Sequence, residues 1–184
     1  IFLEKDRVEV KFLEKIKEPN KSSNIVLAIC LVKKNPMENI LQKATELGVR
    51  RIVPIISERT EIKELNHERA RKIVVEATEQ SNQLSPPEIL REIKIKDFLK
   101  NLDNSKKILF ADVNSKEHLK AENIKNSKIL SILIGPEGDF SSPEREVLLQ
   151  NPSVVPFTLS SNILRTDTAA ISAISLVNFI NKSY

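Results

Sequence analysis

Two turns in this 184-residue chain hold residue types whose spacing could do chemistry. The first is Ile134-Gly135-Pro136-Glu137-Gly138-Asp139-Phe140. It contains two of the chain's three glycines and lies directly after an apolar run. A glycine there either permits φ > 0 or lets a ligand approach the backbone, and Pro136 narrows the turn further. In open α/β sheets the ligand crevice lies at the carboxyl ends of strands. The turn has no GxGxxG and no GxxxxGK[ST] pattern, and Glu137 and Asp139 would repel a phosphate. It predicts either a plain tight turn or one wall of a site for a nucleoside-type ligand without phosphates.

The second turn is Leu159-Ser160-Ser161-Asn162-Ile163-Leu164-Arg165-Thr166-Asp167-Thr168. Between Pro152 and Asn181 the only charged residues are Arg165 and Asp167. At this chain's own 29% of charged residues, roughly nine would fall there. They form either a local ion pair, with Thr166 or Asp167 as a helix N-cap, or a cation held at the crevice beside a helix N-terminus that favours anionic groups. A third candidate region is Glu76-Ala77-Thr78-Glu79-Gln80-Ser81. The apolar stripe Ala70, Ile73, Val74, Ala77 predicts Gln80 and Ser81 on the same inward face. Polar groups there need partners, either in a substrate cleft or in the backbone of the next turn.

Other reactive types read as structural. Cys30 lies inside an apolar run and reads as core rather than as a nucleophile. One cysteine excludes a disulfide framework and a Cys-based zinc site. His67 and His118 lack ligand spacing, so no metal is expected. The run Glu68, Arg69, Arg71, Lys72 is either a solvated helix face or a track for an RNA backbone. Lys and Arg total 29 against 25 Asp and Glu, a net charge of +4, with 40% apolar residues. That is an ordinary globular balance rather than a disordered one. It permits a nucleic-acid partner without demanding one. No apolar run reaches the roughly 18 residues of a membrane span, and no signal peptide is visible, so a cytoplasmic location is expected. The length corresponds to one domain plus a fragment. The chain starts at Ile1, which suggests that a part before it is missing.

The elements that must position these turns alternate. Residues 7–18 read as one strand, with Val8, Val10 and Phe12 alternating against charges, followed by a polar linker over 19–24. Residues 25–32 are a strand apolar on both faces. Pro36 opens a helix that Gly48 stops. Strands follow at 49–56, 108–113, 129–134 and 154–159, and helices at 67–82, after Ser141 with its capping-box Glu144, and at 166–181. The last helix is apolar on nearly all sides, with Ser172, Ser175 and Asn178 as a narrow polar stripe. It is buried either within the domain or in a homodimer contact. The pattern predicts an α/β fold with a mostly parallel sheet covered on both sides.

Five runs occur together in order: 42–49 (QKATELGV), 56–59 (ISER), 76–81 (EATEQS), 134–138 (IGPEG) followed by Phe140 and Ser141, and 163–169 (ILRTDTA). On these the chain resembles the bacterial 16S rRNA uracil-N3 methyltransferases (RsmE type) of the SPOUT superfamily, over about residues 25–184. The resemblance implies a SPOUT-type parallel α/β sheet with a C-terminal trefoil knot, an arrangement otherwise nearly absent from proteins. It implies S-adenosylmethionine as cofactor, held by Leu133, Ile134, Gly135, Pro136, Glu137, Gly138, Leu159, Ser160, Ile163, Leu164, Arg165 and Thr168. It implies 16S rRNA of the small ribosomal subunit as substrate and a homodimer with the last helix at the interface. Residues 1–18 would be the edge of a PUA-like β-barrel, 19–24 the linker and 25–184 the methyltransferase domain. The acceptor would be N3 of a uridine, with Arg165 stabilising the anion at a uracil oxygen. Asp167 or Glu137 would take the proton, and Gln80, Ser81 and Arg165 would contact substrate. The alternatives are a SPOUT enzyme acting on a tRNA 2′-hydroxyl and a non-catalytic RNA-binding module.

The sequence departs from the family pattern at four places. Asp139 and Ser160 stand where glycines are usual. Asp167 stands where glutamate is usual. Asn82-Gln83 replaces a Gly-Arg pair and removes a cation.

Overall fold

The computed structural model describes residues 2–4, 7–11, 13–14, 24–100, 106–124, 127 and 129–182. Two sheets are present. The small one is a hairpin in which β1 (Phe2–Glu4) pairs antiparallel with β2 (Arg7–Glu9). The strand expected over 7–18 is corrected in its described part: pairing stops at Glu9, and residues 10–11 and 13–14 are exposed, with no further strand beside them among the described residues; 15–18 lie outside the described residues. Phe12 and most of the 19–24 linker lie outside the described residues.

The large sheet has seven strands, and every pairing in it is parallel. In chain order it consists of β3 (Ile25–Cys30), β4 (Arg51–Ile56), β5 (Glu88–Ile89), β6 (Ile93–Lys94), β7 (Lys106–Ala111), β8 (Ile129–Ile134) and β9 (Val154–Phe157). Their spatial order is β5-β4-β3-β8-β7-β9, and β6 continues the β5 edge along the second half of β4. The helices are α1 (Lys34–Glu46), α2 (His67–Gln80), α3 (Ile95–Lys100), α4 (Ala121–Ile124), α5 (Ser142–Gln150) and α6 (Thr166–Lys182).

Strand alternation explains why both faces are covered. Ile25, Leu27 and Ile29 of β3 pack with α1, α2 and α6. Val26, Ala28 and Cys30 point the other way, into the layer formed with α3 and α5. A parallel sheet needs such two-sided burial, which is why its strands read as unbroken apolar runs. Cys30 is fully buried, and that burial pushes its thiol up to about 12, against hydrogen bonds from Ser57 and Thr60. It is a core residue with no thiolate at neutral pH.

Helix limits follow local chemistry. α1 begins two residues before Pro36, which tolerates the first turn because the N–H it lacks would have no helical partner. Gly48, at φ +80°, ends it. β9 lies beyond β7 from β8, so the chain must cross back before α6 packs on α1 and β8. α6 is tied to α1 twice. Asn39 Nδ2 donates to Asp167 Oδ2 (3.2 Å) and Asn178 Nδ2 donates to the Leu47 carbonyl (2.8 Å). One member of the expected polar stripe therefore works within the domain. Among the described residues no helix is long and apolar enough to cross a membrane.

Candidate functional site

The carboxyl ends of β7, β8 and β9 open on one cleft, which encloses about 640 Å3 of space in part open to solvent. The 134–140 turn forms its first wall. Asp139 N donates to the Pro136 carbonyl (3.0 Å), and Arg59 Nη1 donates to the Gly138 carbonyl (2.8 Å). The Phe140 ring packs edge-on against Phe110, with centroids 5.6 Å apart. A Cβ on Gly135 would come within 3.2 Å of the Phe140 ring. A side chain there would force the Phe140 ring to give way by a few tenths of an ångström, so packing behind the turn favours glycine. Glu144, only 8% exposed, closes the arrangement. Its Oε2 accepts from Ser141 N (3.2 Å), completing the capping box, and its Oε1 accepts from Glu58 N (2.9 Å) on the loop after β4.

The second wall is the segment 158–166. Thr158 Oγ1 donates to the Ser160 carbonyl (3.1 Å), and Asn162 N donates to Ser160 Oγ (3.0 Å). Ile163 is 86% exposed. The Arg165 carbonyl accepts from Ala169 N (2.8 Å), so Arg165 rather than Thr166 or Asp167 sits at the start of α6. Thr166 is buried in the first turn, and Asp167 Oδ1 accepts from Thr168 N (3.0 Å).

Beside this cleft lies a wider, more open hollow lined by Lys33, Lys34, Asn35, Pro36, Glu137 and Arg165. Glu137 stands in the lining of both spaces. Its carboxylate makes no hydrogen bond or ion pair among the described residues. Arg165 Nε lies 3.9 Å from Asp167 Oδ1, a loose pair in which the arginine side chain is 78% exposed and the aspartate 18%. Both readings of this pair are therefore partly realised. The ion pair exists, yet the guanidinium still faces solvent in the hollow.

Of the twelve residues expected to hold a cofactor, the cleft is lined by Ile134, Gly135, Pro136, Glu137, Leu159, Ser160, Ile163 and Leu164. Leu133 is instead fully buried in the core, Gly138 faces Arg59, Arg165 faces the hollow, and Thr168 is exposed on α6. Gln80 and Ser81 do not occupy an inward face. Thr78 takes it, while Gln80 is exposed in a groove between α1 and α2 that reaches Asn39. The Ser81 hydroxyl donates to the Ala77 carbonyl (2.7 Å), the backbone alternative. The stripe stops early because α2 ends at Gln80.

A family model described as an RNA methyltransferase domain matches residues 18–178. The chain belongs to this family of RNA methyltransferases. The ribosomal RNA small subunit methyltransferase E of Rickettsia conorii is 36% identical over 179 residues, which cover 96% of this chain and 72% of that one. The crystal structure of the Neisseria gonorrhoeae methyltransferase E bound to S-adenosyl methionine superposes with a TM-score of 0.78 at 30% identity, covering 85% of this chain and 66% of that one. A probable rRNA-methyltransferase from Porphyromonas gingivalis gives a TM-score of 0.82 at 30% identity, covering 91% and 71%. The chain thus spans about two thirds to three quarters of the length of these relatives.

In this RNA methyltransferase two departures from the family pattern have a backbone explanation. Asn82 (φ +54°) and Asp139 (φ +58°) occupy the left-handed region, where glycine relaxes and Asn or Asp is the tolerated substitute. Asp139 Oδ1 also accepts from Phe140 N (2.7 Å). Gln83 turns inward and donates to the Thr45 carbonyl (2.6 Å), at the end of α1. Ser160 serves the second wall through its hydroxyl. One contribution escapes a reading of the sequence: the end of β7 places Ala111, Asp112 and Val113 in the cleft. Asp112 is buried and bidentate with Arg145 (2.7 and 3.3 Å), and the carboxylate beside it raises the Arg145 pKa. The same strand-end rule that marks residues 134–140 would mark 111–113, were the order β8-β7-β9 visible.

Proposed function

We propose that the chain is the catalytic part of an S-adenosylmethionine-dependent enzyme that methylates N3 of a uridine in 16S rRNA of the small ribosomal subunit. The observation that carries this reading is one carboxylate, Glu137, lining both the partly open cleft and a more open cationic hollow. The cleft's residues fit the cofactor. Apolar walls from Ile134, Leu159 and Leu164 suit an adenine, whose polar edge can pair with backbone groups. Glu137 and Asp139 suit a ligand with cationic sulfonium and ammonium groups and no phosphate. The Neisseria gonorrhoeae relative, bound to S-adenosyl methionine, supports the same assignment. When bound, the cofactor supplies a methyl group on a positively charged sulfur.

The chain's own groups supply the rest. Uracil N3–H is a weak acid, so its nitrogen becomes a nucleophile only as the proton leaves. Glu137 is placed to accept that proton and pass it to solvent through the hollow. Asp167 is already engaged by Asn39 and Thr168 N, so it acts as a positioning residue for Arg165. Arg165 stabilises negative charge on a uracil oxygen. Gln80, in the α1–α2 groove, contacts RNA at the periphery, with Ser81 fixing the end of α2.

The finer architecture belongs to the same proposal. The return of the chain from β9 to α6 supports a trefoil knot around the second wall. Residues 1–18 are the edge of a PUA-like barrel, 19–24 a linker and 25–184 the SPOUT domain. The half-exposed side of α6 is the homodimer face, and the enzyme works in the cytoplasm. Calorimetry with S-adenosylmethionine, followed by mass-spectrometric mapping of methylated 16S rRNA, tests the function. Saturable binding and a methyl on N3 of one uridine are expected; no binding, or a methyl on a 2′-hydroxyl, overturns it.

A further inference from the structure

The hollow's opposite wall has no role in the chemistry above. It is the β3–α1 junction: Lys33, Lys34, Asn35 and Pro36. Three of the six lining residues are cations, Lys33, Lys34 and Arg165, against one carboxylate, Glu137. Both lysines are available. Among the described residues Lys33 Nζ pairs only with Glu61, at 3.8 Å, and the lysine and glutamate side chains are each about three-quarters exposed, so solvent competes with the pair. Lys34 has no ion pair among the described residues. Its nearest acid on the helix, Glu38, is bidentate with Arg69 (3.0 and 3.2 Å); that bond first, and the charge of Lys34 more weakly, hold the Glu38 carboxyl below its usual value, but Lys34 forms no ion pair with it. The hollow therefore has polarity. Glu137 repels a phosphate at the cleft side, and the lysines attract one at the far side.

We infer that Lys33, Lys34 and the Asn35 amide bind the RNA backbone phosphate next to the target uridine, fixing the base between Glu137 and Arg165. The inference rests on the methyltransferase reading and names its substrate-anchoring site. A nucleic-acid phosphate is the occupant that fits, because exposed cations held only by loose pairs release counterions on binding it. The hollow is also open enough for a polymer to pass, and Pro36 is its one apolar lining residue.

The test compares wild type with Lys33→Ala/Lys34→Ala for binding to in vitro transcribed 16S rRNA across a salt series, with S-adenosylmethionine affinity and thermal midpoint measured alongside. The expected result is weaker RNA binding at low salt and a log K against log salt slope shallower by about 0.7 to 0.9 for each phosphate no longer neutralised. Cofactor affinity and melting should stay as in wild type. Equal RNA affinity and slope in both proteins would overturn the inference while leaving the enzyme reading intact. A double variant that also loses the cofactor would overturn it too, by making the lysines part of the cleft. Failure of wild type itself to bind the rRNA would remove the enzyme reading first.

Discussion

The two walls of the cleft are built to opposite specifications. The 134–140 turn is fastened from several directions: by Arg59 across elements, by Phe110 through the Phe140 ring, and by its own Asp139, while Glu144 just behind it ties Ser141 to the loop after β4. The 158–166 segment is tied to another element at its start, where Thr158 N donates to the Glu117 carbonyl (2.7 Å); beyond that it is held by bonds within itself, and it presents Ile163 and Arg165 to solvent. The contrast separates two tasks. A wall that must keep its backbone groups at a fixed spacing for a small ligand is braced from behind. A wall that must also meet a polymer keeps its side chains outside.

Substitutions can break or sharpen that contrast. The largest effect is expected from Gly135→Val in the braced wall, where a side chain would strike the Phe140 ring. Calorimetry should detect no S-adenosylmethionine binding, and unchanged affinity would mean the wall yields more than its bracing implies. Next, Arg165→Ala in the open wall should leave cofactor affinity intact while lowering kcat by on the order of 10² to 10³. Full activity would remove the guanidinium from the mechanism. Glu137→Gln should lower kcat about 10²-fold and, because the cleft loses one of its two carboxylates, also weaken cofactor binding, with Asp139 retaining part of it. An equal loss in Asp167→Asn with an unchanged Glu137→Gln enzyme would reverse the two roles.

The last two predictions concern stability. Glu144→Ala leaves the Glu58 and Ser141 amides short of a partner and should cost about 2 kcal/mol in denaturant unfolding. A loss no larger than that of an exposed glutamate would show the brace to be redundant. Asp139→Gly relieves a left-handed φ but removes the bond to Phe140 N and loosens the unfolded chain. The opposing effects should leave stability within about 1 kcal/mol of wild type.

Much of this organisation is visible in the residues. The apolar runs of β3, β7 and β8 announce two-sided burial because a parallel strand has no solvent face, and Gly48 and the Ser141–Glu144 pair mark helix ends by local chemistry. The glycine turn is legible for the same reason. β5 and β6 are not, because two residues are too few to show a period. The share of β7 in the cleft is hidden because strand order is a property of the whole sheet. Gln80 misleads because the inward stripe of α2 ends one turn earlier, where Thr78 bonds back to the Val74 carbonyl. The polarity of the hollow needs Lys33 and Arg165 to be seen lining one space, although they stand far apart in the chain.

The double fastening of α6 to α1 sets the timing of assembly. Its two bonds span 128 and 131 residues, so α1 receives these partners only after every strand of the sheet has been made. Such distant pairings slow folding, because loop closure precedes any gain from the pairing. During synthesis the N-terminal βαβ unit waits on the ribosome with an uncovered apolar flank, exposed to aggregation until the last turns of α6 arrive.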